Sequence, residues 1–354
     1  MSHRRARATT RRRAVLLSAA AVLVIGGGAA ALAAGGPAGQ PRATDRPADP
    51  GTTAAASDAP GTAGPSPVGS ASPSASASGS ASASASARPG SPTASAPGGA
   101  TAGAKPAPGP AARPGSAPVT FTGLAFDTCT APSLATMNAW RGTSPYGAAA
   151  VYIGGKNRGC AQPQLTADWV RAVDGGGWKL VPLYVGAQPP CQTGSSPEKL
   201  TADTAAPLGT ADGGDAVARA AALGMRPGST LYLDVEAYNS ADTACAAAVL
   251  EYTRNWNRAV RNSGYWAGFY GFATSSAAGI AQAAGRGVPD LPDALWYARY
   301  DDAADTTGSF PFAAELWTGH RRAHQYRINQ KESYGGAALT VDRNAWDAPV
   351  AVVG

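Results

Sequence analysis

This 354-residue chain has only three histidines and four cysteines, and neither set is spaced for a metal. Cys129, Cys160, Cys191 and Cys245 are separated by 31, 31 and 54 residues, whereas structural zinc sites draw on pairs only a few residues apart. His320 and His324 have i,i+4 spacing, but Glu is missing from the interior position of a helical zinc motif, and the later half of that segment has strand character. No metal and no cofactor is expected. Strand ends also lack a nucleophilic-serine motif, a phosphate-binding loop and a dinucleotide fingerprint. Basic charge is missing where a nucleic acid would need it. Of the net +6, residues 1–117 supply 11 Lys/Arg against 3 Asp/Glu, while residues 118–354 hold 18 against 20, a net of −2. Nucleic-acid partners are therefore excluded from the reading.

What is present divides the chain in three. Residues 1–34 carry Arg4, Arg5, Arg7, Arg11, Arg12 and Arg13, then 21 residues without a charge from 14 to 34. A basic stretch followed by an apolar one is the pattern of an export signal. Ala31-Leu32-Ala33 offers small residues to a signal peptidase, and Arg11-Arg12-Arg13 resembles a twin-arginine motif. A run of 21 residues also suffices to span a bilayer, so the segment reads as a signal peptide or a membrane anchor. Either way the remainder is extracellular or cell-wall associated, with any membrane contact confined to that leader. In such a compartment the four cysteines read as two disulfides, with three connectivities open. Residues 35–117 are rich in Ala, Ser, Pro and Gly, with Ser alternating with Ala and Gly from 74 to 87. That composition has too little apolar side chain to offset ordering entropy, and reads as a disordered linker.

Residues 118–354 are long enough for one barrel. Strand-like stretches fall at 119–126, 148–153, 179–185, 230–235, 265–270, 294–300, 323–326 and 338–341, and helical ones at 133–140, 166–174, 213–223 and 241–261. Along the last helix Ala248, Tyr252, Trp256 and Val260 share a face. Short apolar strands alternating with helices predict an α/β fold, a single (β/α)8 TIM-type barrel of parallel strands. Its active site belongs at the C-terminal strand ends.

Acidic residues cluster at those ends. In Leu231-Tyr232-Leu233-Asp234-Val235-Glu236, period two turns Asp234 and Glu236 to one face. Repulsion and partial burial are expected to raise the pKa of one of them, which suits it to donate a proton. Asp127 and Asp342 follow the first and eighth strands and become neighbours on closure. Four carboxylates around one mouth suit glycosidic hydrolysis, with Glu236 as acid because it is the outermost of its pair. Tyr184, Tyr270, Trp296, Tyr300, Trp317 and Tyr326 offer flat faces for sugar rings, although such residues also fill barrel cores. Gln188, His324 and Gln325 are the remaining polar candidates for substrate binding, with His324 also readable as a buried hydrogen-bonding residue.

The ordered set Gly123-Leu124-Ala125-Phe126-Asp127-Thr128-Cys129, Tyr152-Ile153-Gly154-Gly155, Leu183-Tyr184-Val185-Gly186, Tyr232-Leu233-Asp234-Val235-Glu236, Trp296-Tyr297-Ala298, His324-Gln325-Tyr326 and Val341-Asp342-Arg343-Asn344 resembles the actinobacterial glycoside-hydrolase-like domain family DUF1906. That family is itself similar to the Chalaropsis-type lysozymes, TIM barrels that cleave a β-1,4 bond of peptidoglycan. The resemblance implies Glu236 as general acid, Asp234 assisting the acetamido group or the attacking water, and Asp127 and Asp342 polarising the subsite. Ala125-Phe126-Asp127-Thr128-Cys129 departs from the Asp-Val-Ser opening usual in those lysozymes. The leading reading is an exported glycosidase acting on a cell-wall β-1,4-linked glycan such as peptidoglycan. The alternative is a non-catalytic carbohydrate-binding or envelope-structural barrel.

Overall fold

The computed structural model describes residues 112–192 and 195–354. The leader, and the linker up to residue 111, lie outside the described residues. Eight strands, β1 (Thr120–Asp127), β2 (Tyr146–Gly154), β3 (Lys179–Val185), β4 (Thr230–Val235), β5 (Trp266–Phe272), β6 (Ala294–Ala298), β7 (Arg322–Tyr334) and β8 (Ala337–Pro349), close in chain order into one barrel. The helices α1 (Leu134–Trp140), α2 (Ala167–Gly175), α3 (Ala205–Ala222), α4 (Thr243–Asn262) and α5 (Ser276–Gly285) occupy the five crossovers from β1 to β6. The α/β barrel expected from the alternation is the fold of this domain.

Local chemistry starts several of these helices. The side chains of Ser133, Thr166 and Asp242 accept hydrogen bonds from the backbone N–H of Thr136, Trp169 and Cys245, capping α1, α2 and α4. On α4, Ala248, Tyr252, Trp256 and Val260 are all buried against the barrel or α3. The helix α3 starts eight residues earlier than its sequence signal, at Ala205 rather than 213. That early part carries Gly209 where it meets α4 closely: a Cβ there would lie 2.3 Å from the Tyr252 carbonyl oxygen.

The last strand departs from the expected all-parallel barrel, although β7 still runs parallel to β6. Only Gly335 and Gly336 separate β7 from β8, too short for a crossover. Their φ values of +57° and +82° supply the two left-handed positions of a tight hairpin turn. Thus β8 runs antiparallel to both β7 and β1, and each hairpin strand spans 13 residues. No helix lies between β6 and β7 among the described residues.

The cysteines pair as Cys129–Cys160 and Cys191–Cys245. The first joins the segments that follow β1 and β2; the second ties the segment after β3 to the first turn of α4. Among the described residues, no helix is long and apolar enough to cross a membrane.

Candidate functional site

Pleating divides every strand into an inward and an outward set. Phe126, Val151, Leu231, Leu233 and Val235 face the helices, while Ala125, Tyr152, Tyr232, Tyr270, Trp296 and Trp346 face the barrel axis. Inside, Tyr232, Tyr270, Trp296 and Trp346 meet edge-on with ring centroids 4.7–6.1 Å apart, an aromatic floor that fills the bore. Gly268 makes room for it, since a Cβ there would lie 2.4 Å from the Tyr232 ring.

A polar layer rests on that floor. Asp127 of β1 stands opposite Asp342 of β8 in the antiparallel register, a pairing that repels unless donors intervene. Two carboxamides supply the donors. Gln325 Nε2 donates to Asp127 Oδ2 at 2.9 Å and to Asp342 Oδ2 at 3.3 Å. Asn344 Nδ2 donates to Asp127 Oδ2 at 2.9 Å, and the Asn329 backbone N–H to Asp342 Oδ1 at 2.9 Å. The amides are oriented in turn: Tyr270 donates its hydroxyl to Gln325 Oε1 at 2.8 Å, and Trp296 Nε1 donates to Asn344 Oδ1 at 2.8 Å. The floor therefore aims the amides, and the amides hold the carboxylates.

The opposite wall carries the other acidic pair. Asp234 is the last inward residue of β4 and Glu236 follows the strand end; both are almost entirely buried. The proximity of all four carboxylates registers on two tyrosines. Burial first, then Tyr300 and the charges of Glu236, Asp234 and Asp127, push the Tyr270 hydroxyl well above its ordinary pKa. Burial, then Asp342 and Glu236, do the same to Tyr300, which is only half-buried. Both phenols stay protonated at neutral pH and act as donors. Such an arrangement can surround a sugar with acids and donors over an apolar base. Among the described residues, no cluster of His, Cys, Asp and Glu is arranged to hold a metal ion.

The structure thus brings together Asp127, Asp234, Glu236, Asp342, Tyr270, Tyr300 and Gln325. Trp296 also points inward, but it is sealed in the floor, where its ring cannot stack on a sugar. Four expected contacts lie elsewhere. Tyr184 faces outward, and its hydroxyl donates to Asp215 Oδ2 on α3 at 3.0 Å, because odd-numbered β3 residues are the inward ones. Trp317 precedes β7 and therefore sits at the opposite end of the barrel, donating Nε1 to the Pro292 carbonyl at 2.9 Å just before β6. His324 is outward and fully buried, stacked on Tyr297 at 4.4 Å, with its ring nitrogens 2.9 and 2.8 Å from the carbonyls of Asp305 and Arg299. It anchors the β6–β7 segment. Tyr326 shares that outer face, its ring 6.1 Å from the His324 ring. Gln188 is buried beside β4, but its carboxamide is engaged by main chain. Asn344, absent from the expected site residues, joins the site from the same face of β8 as Asp342, which lies two residues before it.

A family model described as the Rv2525c-like, glycoside hydrolase-like domain matches residues 138–346. The chain belongs to this family. Among solved structures, the Rv2525c-like chain is similar to the Mycobacterium tuberculosis Tat-secreted protein Rv2525c in complex with L-tartrate, at 17% identity and a TM-score of 0.45, over 64% of this chain and 96% of that one. An uncharacterized B. stearothermophilus protein aligns at 17% identity and a TM-score of 0.42, over 63% and 95%. A muramidase from Acremonium alcalophilum aligns at 14% identity and a TM-score of 0.39, over 64% and 93%. Comparison with curated proteins finds no match.

Proposed function

We propose that this chain is an exported glycoside hydrolase that cleaves a β-1,4-linked cell-wall glycan such as peptidoglycan. The observation that carries this reading is geometric: Asp127 pairs with Asp342, Asp234 with Tyr270, Glu236 follows the end of β4, and Gln325 links Asp127 and Asp342 to the Tyr270 and Tyr300 hydroxyls at one end of the barrel bore. In this mechanism Glu236, outermost on the β4 wall, protonates the departing glycosidic oxygen. Asp234 orients the substrate's acetamido group or the attacking water. Asp127 and Asp342, held by Gln325 and Asn344, stabilise the positive charge that develops on the sugar ring. Tyr300 donates to a sugar hydroxyl at the rim. Membership of a glycoside-hydrolase-like family supports the reading. The leader and the two disulfides support a location outside the cytoplasm.

The same buried, amide-held carboxylates also suit a barrel that binds a glycan without cleaving it, and one experiment separates the two. Purified protein and its Glu236→Gln variant are incubated with peptidoglycan, and the soluble products are read by mass spectrometry. Saccharide fragments from the wild type, absent with the folded variant, are the expected result. A folded wild-type protein that sediments with the polymer and releases nothing would replace hydrolysis with binding for this substrate.

A further inference from the structure

On its β5 side the end of β4 stays paired, Asp234 with Tyr270 and Val235 with Gly271; on its β3 side it is held by a side chain instead of a strand. β3 and β4 pair at only three positions, the last being Val185 with Asp234. Past Val185 the chain turns through Gly186 and Ala187, and the Gln188 carboxamide takes over. Its Nε2 donates to the Asp234 carbonyl at 3.0 Å, and its Oε1 accepts the Glu236 backbone N–H at 2.9 Å. Those two groups flank Val235, the pair that a parallel partner strand would engage. Nε2 also donates to the Gly186 carbonyl at 3.1 Å. Both donor hydrogens of the amide are therefore spent on main chain.

Gln188 is itself immobilised from several sides. Its backbone N–H donates to the Glu198 carbonyl at 3.0 Å, and its carbonyl accepts from Leu200 at 2.8 Å. Asn157, after β2, donates Nδ2 to the Gly186 and Glu198 carbonyls at 2.8 and 2.9 Å. The Ala187 N–H reaches Asp212 Oδ2 of α3 and the Tyr252 hydroxyl of α4, each at 3.0 Å. A Cβ on Gly186 would lie 1.9 Å from that hydroxyl, so the turn has no slack. The Cys191–Cys245 bridge closes the same segment onto α4.

We infer that Gln188 is a positioning residue: it sets the backbone of Glu236, and with it the place at the mouth from which the Glu236 carboxyl acts. This replaces the substrate contact expected of Gln188. The catalytic consequence rests on the proposed hydrolase reading, whereas the structural one does not.

The test combines amide hydrogen exchange with kinetics on full-length protein, comparing wild type, Gln188→Met and Gln188→Glu. Met has similar length without the hydrogen bonds; Glu keeps an acceptor for the Glu236 N–H and loses the donors. In the wild type, the Glu236 amide should be as protected as strand amides although it lies past β4. In Gln188→Met its exchange should quicken about tenfold while Leu231 and Leu233 hold their protection, with Gln188→Glu in between. On peptidoglycan, kcat of Gln188→Met should fall about tenfold with KM nearly unchanged. A fast Glu236 amide in the wild type, or equal loosening along the whole of β4 in the variants, overturns the proposal. So does a raised KM at unchanged kcat, which would return Gln188 to substrate contact. A wild type that releases no fragments sinks only the hydrolase reading, because the exchange rates still decide the positioning.

Discussion

Strands β4 and β8 each turn an acidic residue and a second polar residue two positions later toward the barrel axis, but they approach the mouth from opposite directions. β4 runs toward it, so Asp234 lies within the strand and Glu236 beyond its end. β8 runs away from it, so Asp342 is the outer residue, opposite the strand-terminal Asp127, and Asn344 is one layer deeper, opposite Ala125. The surroundings differ accordingly. The end of β4 is held through its backbone by Gln188, whereas the β8 carboxylate is held through its side chain by Gln325 and the Asn329 N–H. Period two decides which residues share a face, and strand direction decides which of them lies nearer the mouth.

Breaking each side of this comparison should give different kinds of loss. The largest is expected at Glu236: the Glu236→Gln variant should lose about 10²–10⁴-fold in turnover on peptidoglycan with an unchanged melting temperature, measured by fragment release and thermal unfolding. Next comes the buttress of β4. Replacing Cys191 and Cys245 by Ser opens a bridge between residues 54 apart, which should cost about 4 kcal/mol in denaturant unfolding. On the β8 side, Asn344→Leu removes the partner of the Trp296 indole N–H and a donor to Asp127. A loss of about 1–3 kcal/mol of stability should accompany any fall in activity, unlike Glu236→Gln. Equal stability losses at Glu236 and Asn344 would dissolve the distinction.

The smallest effect concerns the foot of the hairpin, where exposed His320 Nδ1 lies 2.6 Å from Asp347 Oδ1 on β8. The hydrogen bond, and then the charge of Asp347, raise the His320 pKa above the ordinary 6.5. A folded-state pKa above the unfolded one means that the pair stabilises fully below about pH 6.5 and loses its contribution as pH rises through the folded value. Imidazole NMR should show His320 titrating above the usual range in the wild type and returning toward it in Asp347→Asn.

The elements most legible in the sequence were those whose signals are local. The boundaries of β3 and β4 match their apolar runs, and α4 follows from its 3.6-residue stripe. The early part of α3, 205–212, is obscured by Pro207 and Gly209, and only contact with α4 explains the glycine. The expectation of an all-parallel barrel follows the alternation of strands and helices before β6 and leaves out the turn that Gly335-Gly336 makes between β7 and β8. Among candidate site residues, the four carboxylates and Tyr270 do gather at one mouth. Tyr184, His324 and Tyr326 fall on the outer face, and Trp317 lies at the far end of the barrel.

Composition and periodicity sufficed for the fold class and for the pairing of Asp234 with Glu236 on one face, because alternation is a property of a few consecutive peptide units. Depth in the bore, the pairing of the cysteines and the capture of the Gln188 amide by β4 required the closed barrel. Each depends on contacts between residues far apart in the chain, and no short window of sequence contains both partners.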